Sequence, residues 1–372
     1  MEAALGRIAS LGRVIRWRSG TVQAVRRQWR GAVELDVLVG GVVARALAYA
    51  DLVGRPEPGD EVLLNTTAAA MGLGTGGYAL VVAVPGRLPS DSSGPGHLVK
   101  ARYTPTQAIV AGVDEQDSPF HDVLAAAESL AGMPVVVADL HSALPAIVAG
   151  CLAARPQCRI AYLMTDGAAL PLAFSRTVAG LAPLLAGTIT AGQAFGGDLE
   201  AVTVHTALLA ARHVLQADVA VVTQGPGNLG TGTPWGFSGV QAGDVVNAAA
   251  VLGGNVVGAL RISDGDPRER HHGVSHHSTT AFGRVALTGL DLVVPAGLGE
   301  PLASRVRADL ADQPERNRVV EVPTDGLDAA LRACLVTLST MGRGLDEDYA
   351  YFLAAAAAGK YAASLLAHAV DP

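Results

Sequence analysis

Val219-Ala220-Val221-Val222-Thr223, a glycine-rich loop, a helical pattern over 243–252, then Val256-Val257-Gly258-Ala259-Leu260-Arg261-Ile262: this strand, loop, helix, strand order decides the fold. Both extended runs are almost wholly apolar, which a strand needs when it is covered on both faces; a half-exposed strand would alternate. The same rhythm recurs outward in both directions. Strand patterns at 109–113, 134–138 and 159–164 are followed by helical patterns at 120–131, 143–153 and 176–185. Short extended pieces lie at 188–190 and 201–204, with a helix at 206–215; further strands are predicted at 292–295 and 318–322, and helices at 301–311 and 327–338. Apolar strands alternating with helices predict a mostly parallel layered sheet with helices on both faces, an α/β domain over 96–372.

The first 95 residues read differently. Val33, Leu35, Val37 and Val39 alternate with Glu34, Asp36, Leu38 and Gly40, the period of a half-buried strand. Strand-like runs at 61–65 and 78–84 follow, separated by Pro56-Glu57-Pro58-Gly59-Asp60 and by Gly72-Leu73-Gly74-Thr75-Gly76-Gly77, so a small β-barrel-like domain is expected over 1–95. The Pro/Gly/Ser-rich run 85–96 reads as the linker.

Of the 372 residues, 50% are hydrophobic and 16% charged, enough apolar surface for a large core and too little charge for a disordered chain. The net charge of -7 argues against a dedicated nucleic-acid binder, although Arg7, Arg13, Arg16, Arg18, Arg26, Arg27 and Arg30 crowd the first segment with Trp17 and Trp29. The cysteines number 3 and form no CxxC pair, which fits a reducing, cytoplasmic setting. No secretory-type apolar run opens the chain. The apolar run 349–370 is interrupted by Gly359, Lys360 and His368, so it is expected to pack as a C-terminal helix and not to span a membrane. A homo-oligomer is compatible with this composition.

In an open parallel sheet, ligands bind beyond the carboxyl ends of the strands. Polar loops sit there repeatedly: Asp114-Glu115-Gln116-Asp117-Ser118, Asp139-Leu140-His141-Ser142, Thr165-Asp166-Gly167, the loop 224–233, and Ser263 to Ser278, which holds four of the 10 histidines. If Ser275 caps the helix that follows, His276 and His277 occupy its first turn, where the positive dipole end favours neutral imidazole. Asp166, Asp264, Asp266, His272, His276 and His277 are the candidate catalytic groups, as acids, bases or nucleophile activators. Arg268 and Arg270 offer guanidinium forks for an anion, beside Gly225, Gly227, Asn228 and Thr231 of the glycine-rich loop. Asp139, His141 and His271 are candidate ligands of a divalent metal, though no HExxH-type spacing is present. Gln193, Gly196, Gly197 and Asp198 are candidates for a further wall of the site.

Taken together, Gly72 to Gly77, Ala138-Asp139-Leu140-His141-Ser142, Met164-Thr165-Asp166-Gly167, Gln224-Gly225-Pro226-Gly227, Asp266 to His271 and Ser275-His276-His277 resemble a bacterial protein family catalogued only as a conserved domain of unknown function. The resemblance spans nearly the whole chain and implies no activity.

The leading expectation is a hydrolase or transferase acting on a small anionic metabolite through a metal or acid-base centre. Two other readings stand beside it: a non-catalytic sensor that holds a nucleotide or similar anion, and an RNA-associated protein using the basic N-terminal segment.

Overall fold

A computed structural model describes residues 15–73, 76–91 and 94–368. Arg7, Arg13, Gly74 and Thr75 therefore lie outside the described residues. The chain divides into two compact units, 1–93 with 104–108, and 94–103 with 109–372.

In the first unit, β1 (Trp17–Trp29), β2 (Ala32–Val39), β3 (Val42–Tyr49), β4 (Glu61–Asn65) and β5 (Ala79–Ala83) close a barrel in the order β1-β2-β3-β5-β4. The alternation read in β2 has the expected outcome, with Val33, Leu35 and Val37 in the barrel core. Arg26 is paired with Asp36 and with the buried Glu34, so part of the basic segment is neutralised within the barrel itself.

Two short strands, β6 (Leu98–Lys100) and β7 (Ala108–Val110), form a separate two-stranded sheet at the point where the chain passes to the second unit. The main sheet of that unit is built from β8 (Pro134–Val137), β9 (Ile160–Thr165), β10 (Gly187–Ala191), β11 (Leu199–Ala201), β12 (Val219–Gln224), β13 (Asn255–Ala259), β16 (Asp291–Pro295) and β17 (Arg318–Val322). Two hairpins complete the strands, β14 (Ile262–Ser263) with β15 (Gly273–Val274) and β18 (Ser339–Thr340) with β19 (Arg343–Gly344).

The strand order is β11-β10-β9-β12-β8-β13-β16-β17, and every neighbouring pair is parallel. Alternate residues of the central strands serve opposite faces. Val135, Val137, Ala161, Leu163, Ala220 and Val222 enter one core, with the helices Val204–His213 and Ala242–Val251 over them. Val136, Ile160, Tyr162, Met164, Val219 and Val221 enter the other, under Leu144–Ala154 and Tyr349–Ser364. Two buried faces explain why these strands read as unbroken apolar runs.

Three expectations shift. The strand pattern at 109–113 divides: Ala108–Val110 forms β7 in the small sheet, while Gly112 bridges Glu200 of β11 in parallel and Val113 N donates to the Glu200 carbonyl, so Asp114 to Ser118 follows the β11 edge of the main sheet; Glu115 accepts the N–H groups of His97 and Leu98. The helix expected over 120–131 is a short one, His121–Ala125. The helix after the histidine stretch, which the sequence pattern puts at 279–287, starts earlier: it runs His276–Thr280 and loosens into a π-turn at Ala281–Val285.

The C-terminal helix Tyr349–Ser364 is nearly all buried, and no helix among the described residues is long and apolar enough to cross a membrane. Its contact with Leu144–Ala154 is backbone-close. A Cβ on Gly150 would lie 1.9 Å from the Ala356 carbonyl oxygen, and one on Gly359 would lie 2.0 Å from that of Ile147. Gly150→Ala is therefore expected to lower unfolding stability by about 1–3 kcal/mol in denaturant titration, the usual cost of overpacking. Gly299→Ala, where nothing lies within 4 Å, should change it little.

Candidate functional site

The helix after β8 lies on one face of the sheet, while those after its neighbours β12 and β13 contribute to the core on the other face. Such a change of direction leaves a crevice at the strand's carboxyl end. Asp139 occupies that position, 2% exposed. Its backbone carbonyl accepts from Gln224 Nε2 of β12 at 2.8 Å, and its carboxylate accepts from His277 Nδ1 at 3.2 Å. Loops following β8, β12 and β13 thus meet on one residue.

His277 is oriented from two directions. Phe237, at the end of the glycine-rich loop, stacks on its ring with centroids 3.8 Å apart and planes 1° apart. Ser275 caps the helix as the sequence predicts, accepting from the His277 backbone N–H, and also bonds His271 Nδ1 at 2.7 Å. His271, His276 and His277 each offer a ligand atom, and these atoms lie within 4.8 Å of one another. Among the described residues, His276 Nε2 is buried without a hydrogen-bond partner, as is Gln224 Oε1 in the small cavity lined by Asp139, Thr165, Gln224 and Gln241.

Burial, reinforced by the charges of Arg261 and Arg268, lowers His271 to about 2. Burial and then the neighbouring His277 and Arg270 lower His276 to about 4. Both rings are therefore neutral near pH 7, with a lone pair to donate. The contact with the Asp139 carboxylate engages His277 at Nδ1, so Nε2 is the ring nitrogen turned away from that carboxylate.

The loop carrying His271 is bracketed by the β14–β15 hairpin and held by charge. Asp266 is 0% exposed and bound by Arg261 at 2.9 Å, Arg268 at 2.7 Å and Arg343 at 3.1 Å. Arg343 also pairs with Asp348, which accepts from Ser263. Burial pushes the Asp266 carboxyl up, but the hydrogen bonds and charge of Arg268 and the charge of Arg261 outweigh it and hold it well below the usual carboxylate range.

The geometry revises several sequence-derived roles. Asp266, expected as a catalytic acid, is a fully engaged counterion, and Arg268, expected to bind substrate, is spent on it at both Nε and a terminal nitrogen. Asp264 is exposed on the loop. His141 does not join the other histidines: Nδ1 meets the Tyr162 hydroxyl at 2.9 Å, Nε2 meets Ser175 at 2.7 Å, and burial lowers it to about 4, so both nitrogens are used inside the core. Asp166, after β9 and so two strands from Asp139 along the rim, accepts from Gln193 N and Gln241 Nε2. Gln193, Gly197 and Asp198 have local work: the Gln193 side chain accepts from Arg102 N, Gly197 N donates to Thr190, and Asp198 accepts from Thr188; Gly196 N donates to Glu200.

In the glycine-rich loop, Gly225 is buried where a Cβ would lie 2.4 Å from the Ala169 carbonyl oxygen, so close backbone packing accounts for it. Asn228 Oδ1 accepts from Gln224, Ser238 and Gly239 and braces the loop, while exposed Thr231 bonds Thr233 and Gly236. Gly227 is exposed with φ +96°. Arg270 and His272 line a surface cleft together with His276. Phe237 and Arg343 escape sequence reading, and the sequence places Gln224 on the rim without a role. Only Arg261 carried a signal, a charge within an apolar strand run that implies a buried partner.

A family model described as a protein of unknown function (DUF3866) matches residues 45–359, a span that includes the whole histidine centre, and the chain belongs to that family. No curated protein matches the chain.

Removing the buried counterion should loosen the loop. Asp266→Asn is expected to cost about 3–5 kcal/mol of unfolding stability, because it strands guanidinium groups gathered around one carboxylate. Since the folded-state pKa of Asp266 lies below its unfolded value, its contribution is complete above that unfolded value and is lost as pH falls below about 4. Acid titration of the wild type, compared with a flatter acid limb for Asp266→Asn, checks the sign.

Proposed function

We propose that His271, His276 and His277 bind one divalent transition-metal ion of the zinc type, and that the chain uses it to hydrolyse, or transfer a group from, a small anionic metabolite. The observation that carries this reading is the convergence of three imidazoles whose ligand atoms lie within 4.8 Å, one of them oriented by a buried carboxylate. Tetrahedral coordination with metal–nitrogen distances near 2.1 Å needs nitrogens about 3.4 Å apart, a contraction within reach of small ring rotations. Three protein ligands leave a fourth position for water, as in catalytic rather than structural zinc sites.

Asp139 then acts as the orienting partner of a ligand histidine, and Ser275 does the same for His271 by accepting from Nδ1. Gln224 Oε1, with no partner of its own, is a spare acceptor on the same rim. His271, His276 and His277 would hold the ion, which would supply Lewis-acid activation of a water for attack on the substrate, while Asp139 and Ser275 keep two of the rings in place.

Chelator-stripped protein titrated with Co²⁺ is expected to bind one equivalent and develop the visible absorption of a tetrahedral nitrogen site. His271→Ala and His277→Ala should abolish that spectrum, and Asp139→Asn should weaken binding about 10–100-fold while the protein stays folded. Absence of saturable one-to-one binding in the wild type would sink the reading.

A further inference from the structure

We infer that the surface cleft beside His276 is the substrate site of this centre, and that it takes a small acid joined to a planar ring bearing hydrogen-bond donors, the chemistry of a nucleoside monophosphate. The catalytic part rests on the metal reading above; the binding part rests on the cleft itself.

The cleft has a volume of about 460 Å³, within the range of small-molecule sites, and His276 belongs both to its wall and to the imidazole cluster. Its three guanidinium groups are not equivalent. Arg305 is occupied, donating to Asp309 and to Glu269 at 3.0 Å each. Arg270 and Arg284 have no carboxylate within ion-pair distance among the described residues, so two positive charges remain without a counterion there in a chain of net charge -7. Unpaired guanidinium groups in a concave wall suit a phosphate or carboxylate. Arg270 is also close enough to His276 for its charge to act on that ring.

The ring specificity comes from Trp235. The Arg284 guanidinium sits 5.9 Å from the indole centroid, yet the residue is 57% exposed, an uncommon state for so large an apolar side chain. Trp235 is two residues before Phe237, whose ring stacks on His277, so one loop both steadies the centre and presents a stacking surface beside the cationic cleft. Asp312 is the remaining lining carboxylate without an ion-pair partner among the described residues. It opposes a second negative group there and suits an amino donor. One acid, one ring and one donor describe the ligand.

The test is calorimetric titration of the full-length chain with AMP, ribose 5-phosphate and adenosine, on metal-loaded and chelator-stripped samples whose metal content is measured. AMP is expected to bind at least about tenfold more tightly than either fragment, the scale of one base stack or one charge-assisted contact. Trp235→Ala should reduce AMP to the affinity of ribose 5-phosphate and leave the latter unchanged. Arg270→Gln with Arg284→Gln should reduce AMP to the affinity of adenosine. Equal affinities for AMP and ribose 5-phosphate would overturn the ring assignment, and equal affinities for AMP and adenosine the acid assignment. Metal-loaded protein that ignores AMP defeats this inference alone; AMP binding by a chain that takes up no metal defeats the metal reading and leaves the cleft standing.

Discussion

A single buried carboxylate, Asp266, gives the histidine loop its course. It has no contact with water and is gripped by Arg261, Arg268 and Arg343, which arrive from the strand end, from the loop itself and from the β18–β19 hairpin. Charges are buried at a desolvation cost that only good geometry and further hydrogen bonds recover. Here Arg343 shares its charge with Asp348, which in turn binds Ser263, so the arrangement closes on itself. Its product is a rigid path from Ser263 to Ser275 in an otherwise irregular segment.

That rigidity acquires chemical meaning because of where the loop is anchored. Parallel strands put all their carboxyl ends on one rim, and β8 sits between two strands whose following helices cover the opposite face. Asp139 at the tip of β8 then becomes reachable from both sides, by Gln224 of β12 and His277 beyond β13. Small residues permit the supporting layers to come close, as at Gly150 and Gly359, where helix backbone meets helix backbone. The aliphatic, ring-poor core therefore serves precision: short side chains leave little slack between sheet and helices.

Much of this was legible beforehand because it depends on periodicity. Apolar runs such as Val219 to Thr223 can only be strands buried twice, and the parallel sheet follows. The polar loops after β8, β9, β12 and β13 were legible for the same reason, since chain direction assigns them to one end. Ser275 as a cap was legible from its position before two histidines and a helical pattern. The strand pattern at 109–113 divides, because a short apolar run does not say which sheet it joins: Ala108–Val110 pairs in the small β6–β7 sheet and Gly112 bridges Glu200 at the edge of the main one.

Residue types alone thus determined the layered α/β fold, the leading barrel and the rim on which polar chemistry collects, because secondary structure follows from local spacing and burial. Tertiary structure decided which polar side chains answer to one another. His141 and His271 are equally histidine-like in sequence, yet one is saturated by Tyr162 and Ser175 while the other faces two more imidazoles. Asp139 and Asp266 are both acids near strand ends, yet one orients a histidine and the other neutralises arginines. Those distinctions arise from contacts across 21 and 34 residues of chain at His141, up to 77 at Asp266 and 138 at Asp139, and no spacing rule encodes separations of that kind.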